Sequence, residues 1–209
     1  MKAMLQYLKF CISHTCFMVY LAVNSFLFGI LSLFLLILQF EFKPFCTDLI
    51  MKIRLIQSSD NPSLAQIIRS TLAEFRANHI GTVYFDSATD SLFESFQRLN
   101  SVYFVAENED GKVVGGGGIY PTGGLPEDTC ELVKMYLLPE ARGIGLGRTI
   151  IEKCLDAARK FGFSKIYLES MPELKQALKV YEKFGFAYLC SPMGNSGHFG
   201  CDLYMLKVL

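Results

Sequence analysis

Residues 130–147, CELVKMYLLPEARGIGLG, decide the fold. A strand-like run ends at Leu138, Pro139 breaks it, and a glycine-rich turn then opens a helix. Arg142 is followed by Gly145 and Gly147, so the turn reads R-x-x-G-x-G. Glycines at that spacing let backbone N–H groups converge with no side chain in the way. The positive end of the following helix sits behind them, and together they predict a cradle for a pyrophosphate. The pattern also excludes two common pyrophosphate sites. A dinucleotide fingerprint starting at Gly143 would need glycine at 148, which is Arg148, and one starting a step later would need it at Ile150. No Lys-Ser or Lys-Thr follows the glycines, as a nucleoside-triphosphatase loop requires.

The next fifty residues extend the reading. Residues 149–161 (TIIEKCLDAARKF) place Ile150, Ile151, Cys154, Leu155 and Ala158 on one helical stripe, with Gly162 as the stop signal. Residues 164–169 read as a short strand, and residues 173–184 as a second amphipathic helix that ends in YEKFGF at 181–186. Strand, R-x-x-G-x-G and helix in that order resemble the coenzyme A-binding motif of the GNAT superfamily of N-acetyltransferases. The YEKFGF ending, with Ala177 in register, resembles that superfamily's A-x-x-x-Y-[ED]-K-x-G-F signature. The resemblance covers residues 51–209. It implies an α/β chain of the GNAT acyltransferase fold: a central mixed, mostly antiparallel sheet with a splayed strand pair, flanked by helices.

Upstream of the motif, residues 51–56 read as a first strand and residues 61–75 as a helix with Pro62 in its first turn. Residues 90–99 read as another helix. Residues 101–107 and 112–120 form a hairpin about Asp110-Gly111. Four consecutive glycines, Gly115, Gly116, Gly117 and Gly118, interrupt its second strand; they mean either a bulged, closely approached strand or room for an acceptor beside a thioester. Residues 187–190 and 202–207 read as closing strands joined by PMGNSGHFG.

The composition changes near residue 50. Residues 10–40 hold no Asp, Glu, Lys or Arg, and residues 17–40 are long and apolar enough for a membrane-spanning helix. The apolar run is too long, and its flank too poor in small residues, for a cleaved signal peptide. Two readings of residues 1–50 stand side by side: a genuine anchor, or a leader appended by a start placed upstream of Met51. The domain at 51–209 is expected in the cytoplasm, or at a membrane facing the cytosol, because acetyl-coenzyme A is a cytosolic metabolite. Equal counts of acidic and basic residues, 20 of each, leave no polybasic footprint for nucleic acid. Seven cysteines without a C-x-x-C pair or a histidine cluster argue against a zinc site and a disulfide framework.

Acetyl transfer to an amine has three demands. A base must take the proton of an amine whose pKa lies near ~10.4, an oxyanion must be stabilised, and the departing thiolate must be accommodated. The resemblance assigns the thiolate's proton donor to Tyr181 and offers two candidate bases, Glu169 and Glu131, with a water relay as the alternative to either. It places the thioester and pantetheine arm along Met135, Tyr136 and Leu137, and the pyrophosphate on Arg142, Gly143, Ile144, Gly145, Leu146 and Gly147, with Arg148 in reach of a phosphate. Leu174 stands where many relatives carry an asparagine that contacts the pantetheine arm. His198 reads as a loop residue that borders the acceptor pocket. The resemblance thus implies an enzyme that moves the acetyl group of acetyl-coenzyme A, without a metal, onto a primary amine of a small molecule or peptide in a ternary complex, and it allows a homodimer. A non-catalytic acyl-coenzyme A sensor, membrane-tethered or not, would keep the cradle but not the acid and base.

Overall fold

The computed structural model describes residues 51–209, and the apolar segment at 17–40 lies outside them. No helix among the described residues is long and apolar enough to cross a membrane. Seven strands form one sheet in the order β1-β2-β3-β4-β5-β7-β6. They are β1 (Lys52–Leu55), β2 (Val102–Glu107), β3 (Val113–Tyr120), β4 (Thr129–Leu137), β5 (Lys165–Ser170), β6 (Ala187–Leu189) and β7 (Leu203–Val208). Every neighbouring pair is antiparallel except β4 with β5. The β2–β3 hairpin closes where expected: Gly111 takes φ +75°, and the Asn108 side chain accepts from the Asp110 and Lys112 backbone N–H groups at 3.2 and 2.9 Å.

Among the described residues, four α-helices cover the sheet: α1 (Asn61–Glu74), α2 (Leu92–Ser95), α3 (Leu146–Lys160) and α4 (Lys175–Lys183). α1 carries Pro62 in its first turn and buries Leu64, Ile68 and Leu72 in a core shared with Phe96, Tyr103 and Val105. α3 buries Ile150, Ile151, Cys154, Leu155 and Ala158, the predicted stripe, in a second core with Ile119, Ile166 and Tyr181. The two cores lie on opposite sheet faces, as strand alternation requires.

Two expectations are corrected. Residues 90–99 do not form one helix: a 3-10 run, Ser87–Ser91, leads into the single turn of α2. Side-chain caps start two short elements in place of one helix: the Asp86 carboxylate takes the Ala88 N–H at 2.9 Å at the head of the 3-10 run, and Asn61 Oδ1 takes the Phe93 N–H at 2.8 Å at the head of α2. The helix after the glycine turn begins at Leu146 rather than 149, since Gly145, at φ +87°, is already its N-cap.

The feature that positions the site is a gap inside the sheet. β4 and β5 pair only through Thr129↔Lys165, Cys130↔Ile166 and Glu131↔Tyr167, although β4 runs on to Leu137 and β5 to Ser170. Beyond that point the strands splay, as expected. β4 also carries a bulge: its register with β3 skips between Gly116↔Tyr136 and Gly118↔Val133, and Lys134 adopts φ +51°.

Candidate functional site

Two cavities meet where β4 leaves β5. The first is a groove walled by Met135, Tyr136, Leu137, Arg142, Gly143, Gly145, Gly147 and Arg148, with Thr71 and Phe75 of α1 and Ala177, Val180 and Tyr181 of α4 opposite. The second is lined by Asp86, Tyr120, Thr122, Glu131, Ser196 and His198 among others. Lys134, Tyr136, Glu169, Ser170, Leu132 and Leu174 line both, so they mark the junction.

At one end of the groove, the backbone N–H groups of residues 143–148 have no hydrogen-bond acceptor among the described residues. They lie on a turn with Gly143 at φ +78° and Gly145 at φ +87°, at the positive end of the fifteen-residue α3. That geometry, and not only the motif, suits an anion. Ile144 and Leu146 lend it backbone alone, since the Ile144 side chain is exposed and that of Leu146 packs in the core. The Arg142 guanidinium is already engaged. It donates to both Glu74 carboxylate oxygens at 2.7 and 2.8 Å and to the Leu137 carbonyl at 2.8 Å, and it lies 5.1 Å from the Phe75 ring centre. Arg142 therefore braces the turn against α1 and β4. Arg148 pairs with its exposed helix neighbour Glu152 at 2.9 Å and lies 5.7 Å from the Phe184 ring centre.

Along the groove, the Leu138 N–H donates to the Val114 carbonyl at 2.9 Å, so Leu137 directs its own N–H and C=O away from β3, towards the gap. Opposite, Tyr181 is buried in the groove wall, and its hydroxyl has no partner among the described residues. Burial pushes that phenol well above its ordinary range, so it stays protonated. The Thr71 hydroxyl, itself shut off from solvent, also has no partner among the described residues, and it too lines the groove. Thr71 was invisible to motif reading because it sits on the apolar face of α1. The cue was a hydroxyl at a core position of the helix.

In the second cavity, Glu131 is buried and accepts from the Thr122 hydroxyl. Burial raises its carboxyl to about 7, with the nearby Glu169 adding to the effect. Glu169 accepts from the Tyr167 hydroxyl at 2.9 Å and the Ser196 hydroxyl at 2.7 Å. The two carboxylates reach the site differently: Glu131 lines only the second cavity, Glu169 both. His198 does border this cavity, its Nε2 3.4 Å from Asp86 Oδ2. Lys134 Nζ meets the same Asp86 oxygen at 2.9 Å. The His198 contact, reinforced by Lys134, holds the Asp86 carboxyl well below its usual range. The Asp86–Lys134–His198 cluster joins residues far apart in sequence, and no local pattern announced it.

A profile of the acetyltransferase (GNAT) family matches residues 65–186. The chain belongs to that family. This GNAT protein is 39% identical over 157 residues to the uncharacterized N-acetyltransferase YjgM of Escherichia coli (strain K12), covering 75% of this chain and 93% of that protein. Its fold is similar to a GNAT-family acetyltransferase of Staphylococcus aureus Mu50, with TM-score 0.66 and 17% identity, over 76% of this chain and 99% of the other. It is also similar to the PaiA N-acetyltransferase of Thermoplasma acidophilum, solved in complex with coenzyme A, with TM-score 0.59 and 18% identity over 76% and 99% of the two chains. The GNAT assignment makes the protein an acyltransferase and gives the groove its class of ligand to be tested.

Proposed function

We propose that the protein transfers the acetyl group of acetyl-coenzyme A to a primary amine by direct attack in a ternary complex. The observation that carries the reading is the meeting of an anion cradle's groove with a carboxylate-lined cavity at the splayed end of β4 and β5. The groove suits the cofactor on independent grounds: six unpaired N–H groups for a diphosphate and the orphaned Thr71 hydroxyl for the arm beyond it. Bound there, acetyl-coenzyme A supplies an activated acetyl thioester. The N–H groups of residues 143–148 hold its phosphates, and the outward-facing Leu137 N–H serves the carbonyl or the arm. Glu131, with a carboxyl near 7, is matched to take the amine's proton at neutral pH, directly or through water, while Glu169 borders the junction. Tyr181 returns a proton to the departing sulfur. The test is thiol release by the purified protein from acetyl-coenzyme A against a panel of primary amines. Amine-dependent release is expected; coenzyme A binding without release for any amine would make the protein a sensor.

Tyr181→Phe is expected to lower kcat at least about tenfold, the small end of general acid catalysis, with coenzyme A affinity nearly unchanged. Steady-state kinetics beside calorimetric titration separates the two. An unchanged kcat with chemistry rate-limiting would leave Tyr181 a packing residue.

Thr71→Val should act in opposite directions on free and bound protein. An isosteric valine removes a buried, unpartnered hydroxyl, so the melting temperature of the free protein holds or rises. The bound state loses a hydrogen bond, weakening coenzyme A by about three- to tenfold. Equal affinity in titration would show that the cofactor does not use Thr71.

A further inference from the structure

The four glycines of β3 remain outside the scheme above, and they admit neighbouring backbone and side chains: a Cβ on Gly115, Gly116 or Gly118 would first meet the carbonyl of Tyr136, Phe104 or Val102. A Cβ on Gly117 would meet the Met135 sulfur at 2.5 Å. On the other face, a Cβ on Gly116 would lie 2.6 Å from Tyr103 Cε1, and one on Gly118 2.8 Å from Tyr103 Cδ2. Tyr103 pairs with Gly118 across the β2–β3 ladder. Its ring therefore lies along the bare backbone of β3, from Gly118 to Gly116, and only glycines allow that approach. The hydroxyl emerges over the next strand, where it donates to the Lys134 carbonyl at 2.9 Å. The whole side chain is buried, with 1% exposure.

Lys134 is the bulge residue, in a left-handed conformation that a lysine holds only when its surroundings impose it. Its side chain is fastened by Asp86 Oδ2 at 2.9 Å, and its carbonyl by Tyr103. A peptide unit is planar, so pinning the Lys134 carbonyl also fixes the direction of the Met135 N–H. Lys134 lines both cavities, and Met135 lines the groove.

We infer that Tyr103 is a positioning residue for acyl transfer: carried across β3 on a glycine track, its hydroxyl holds the Lys134–Met135 peptide at the junction of groove and acceptor cavity. The inference rests on the acetyltransferase reading above. Tyr103→Phe keeps the ring on the track and removes one hydroxyl. The expected result is a fall in kcat of at least about tenfold, as for other small misplacements of a reacting centre. KM for the amine and Kd for coenzyme A stay within about twofold, and the Met135 amide resonance moves. Gly116→Ala would set a Cβ 2.5 Å from the Phe104 carbonyl and 2.6 Å from Tyr103 Cε1, so it shifts β2 together with the same ring and is expected to lower kcat likewise. The double variant is expected to lose no more than the larger single loss.

An unchanged kcat in Tyr103→Phe overturns the inference, as does a loss that merely follows the folded fraction or coenzyme A affinity. Should Tyr103→Phe not fold, Gly116→Ala decides, and full kcat there overturns it. A wild-type protein that releases no thiol with any amine sinks the acetyltransferase reading instead. The Met135 resonance then still reports whether Tyr103 holds the bulge, and a resonance unmoved in Tyr103→Phe overturns that.

Discussion

Replacing Gly147 by aspartate is expected to give a well-folded protein that no longer retains coenzyme A. Gly147 lies in the first turn of α3, and an added Cβ would sit 3.5 Å from Leu137 Cδ1 and Met135 Cε, ordinary contact distances. A carboxylate in a first helical turn is favourable to the helix by about 0.3–1 kcal/mol, so the free protein should melt no lower than wild type. The same carboxylate competes for the unpaired N–H groups and repels a diphosphate at close range, and an affinity loss of about 100-fold or more follows. Gly145→Asp should also lose the cofactor, but φ +87° adds backbone strain, which makes Gly147 the cleaner position. Calorimetric titration with coenzyme A, beside a thermal melt, is the measurement. Near-wild-type affinity in a folded Gly147→Asp protein would mean that the diphosphate binds elsewhere.

Glu131→Gln is expected to trade activity for stability. As base, Glu131 must be ionised, so wild-type kcat/KM should fall as pH drops through about 7. The glutamine variant should lose about 10²–10⁴-fold in rate together with that limb of the profile. A limb that survives would hand the proton to Glu169 or to solvent. Stability moves the other way. The carboxyl rises from its ordinary 4.5 to about 7 on folding, so between those values the folded state binds more protons than the unfolded one. Folding stability attributable to this group is full below pH 4.5, declines across the window and is lost above 7. Its ionisation then costs up to about 3 kcal/mol, which glutamine avoids while still accepting from Thr122. Melts at pH 8 should therefore favour Glu131→Gln, and melts near pH 4 should show no gain.

The glycine turn and its helix were legible because their geometry is local: Pro139, the glycines and the apolar stripe of α3 each dictate a backbone state within a few residues. The splay followed from the resemblance, and Glu131 and Glu169 both line the second cavity. What escaped depends on partners distant in sequence. Arg142 reads as a phosphate ligand until Glu74, 68 residues earlier, is seen to hold its guanidinium. Asp86 and His198 lie 112 residues apart and meet only because two loops converge over the cavity. The glycine run was ambiguous for the same reason: a missing Cβ marks a close approach but does not name the visitor, and Tyr103 sits on a different strand.

An opening in the middle of a sheet has a hazard of its own. Past Glu131, β4 presents donors and acceptors that β5 does not take, which is the template an extended segment from another molecule would use to add a strand. Regular pairing needs an unbroken pleat, and the left-handed Lys134 interrupts it after Leu132 and Val133. On the other lip, β5 stops at Ser170 and Pro172 follows after the single residue Met171, leaving little length to recruit. The kink at Lys134 thereby also makes this strand a poor template for pairing with another chain.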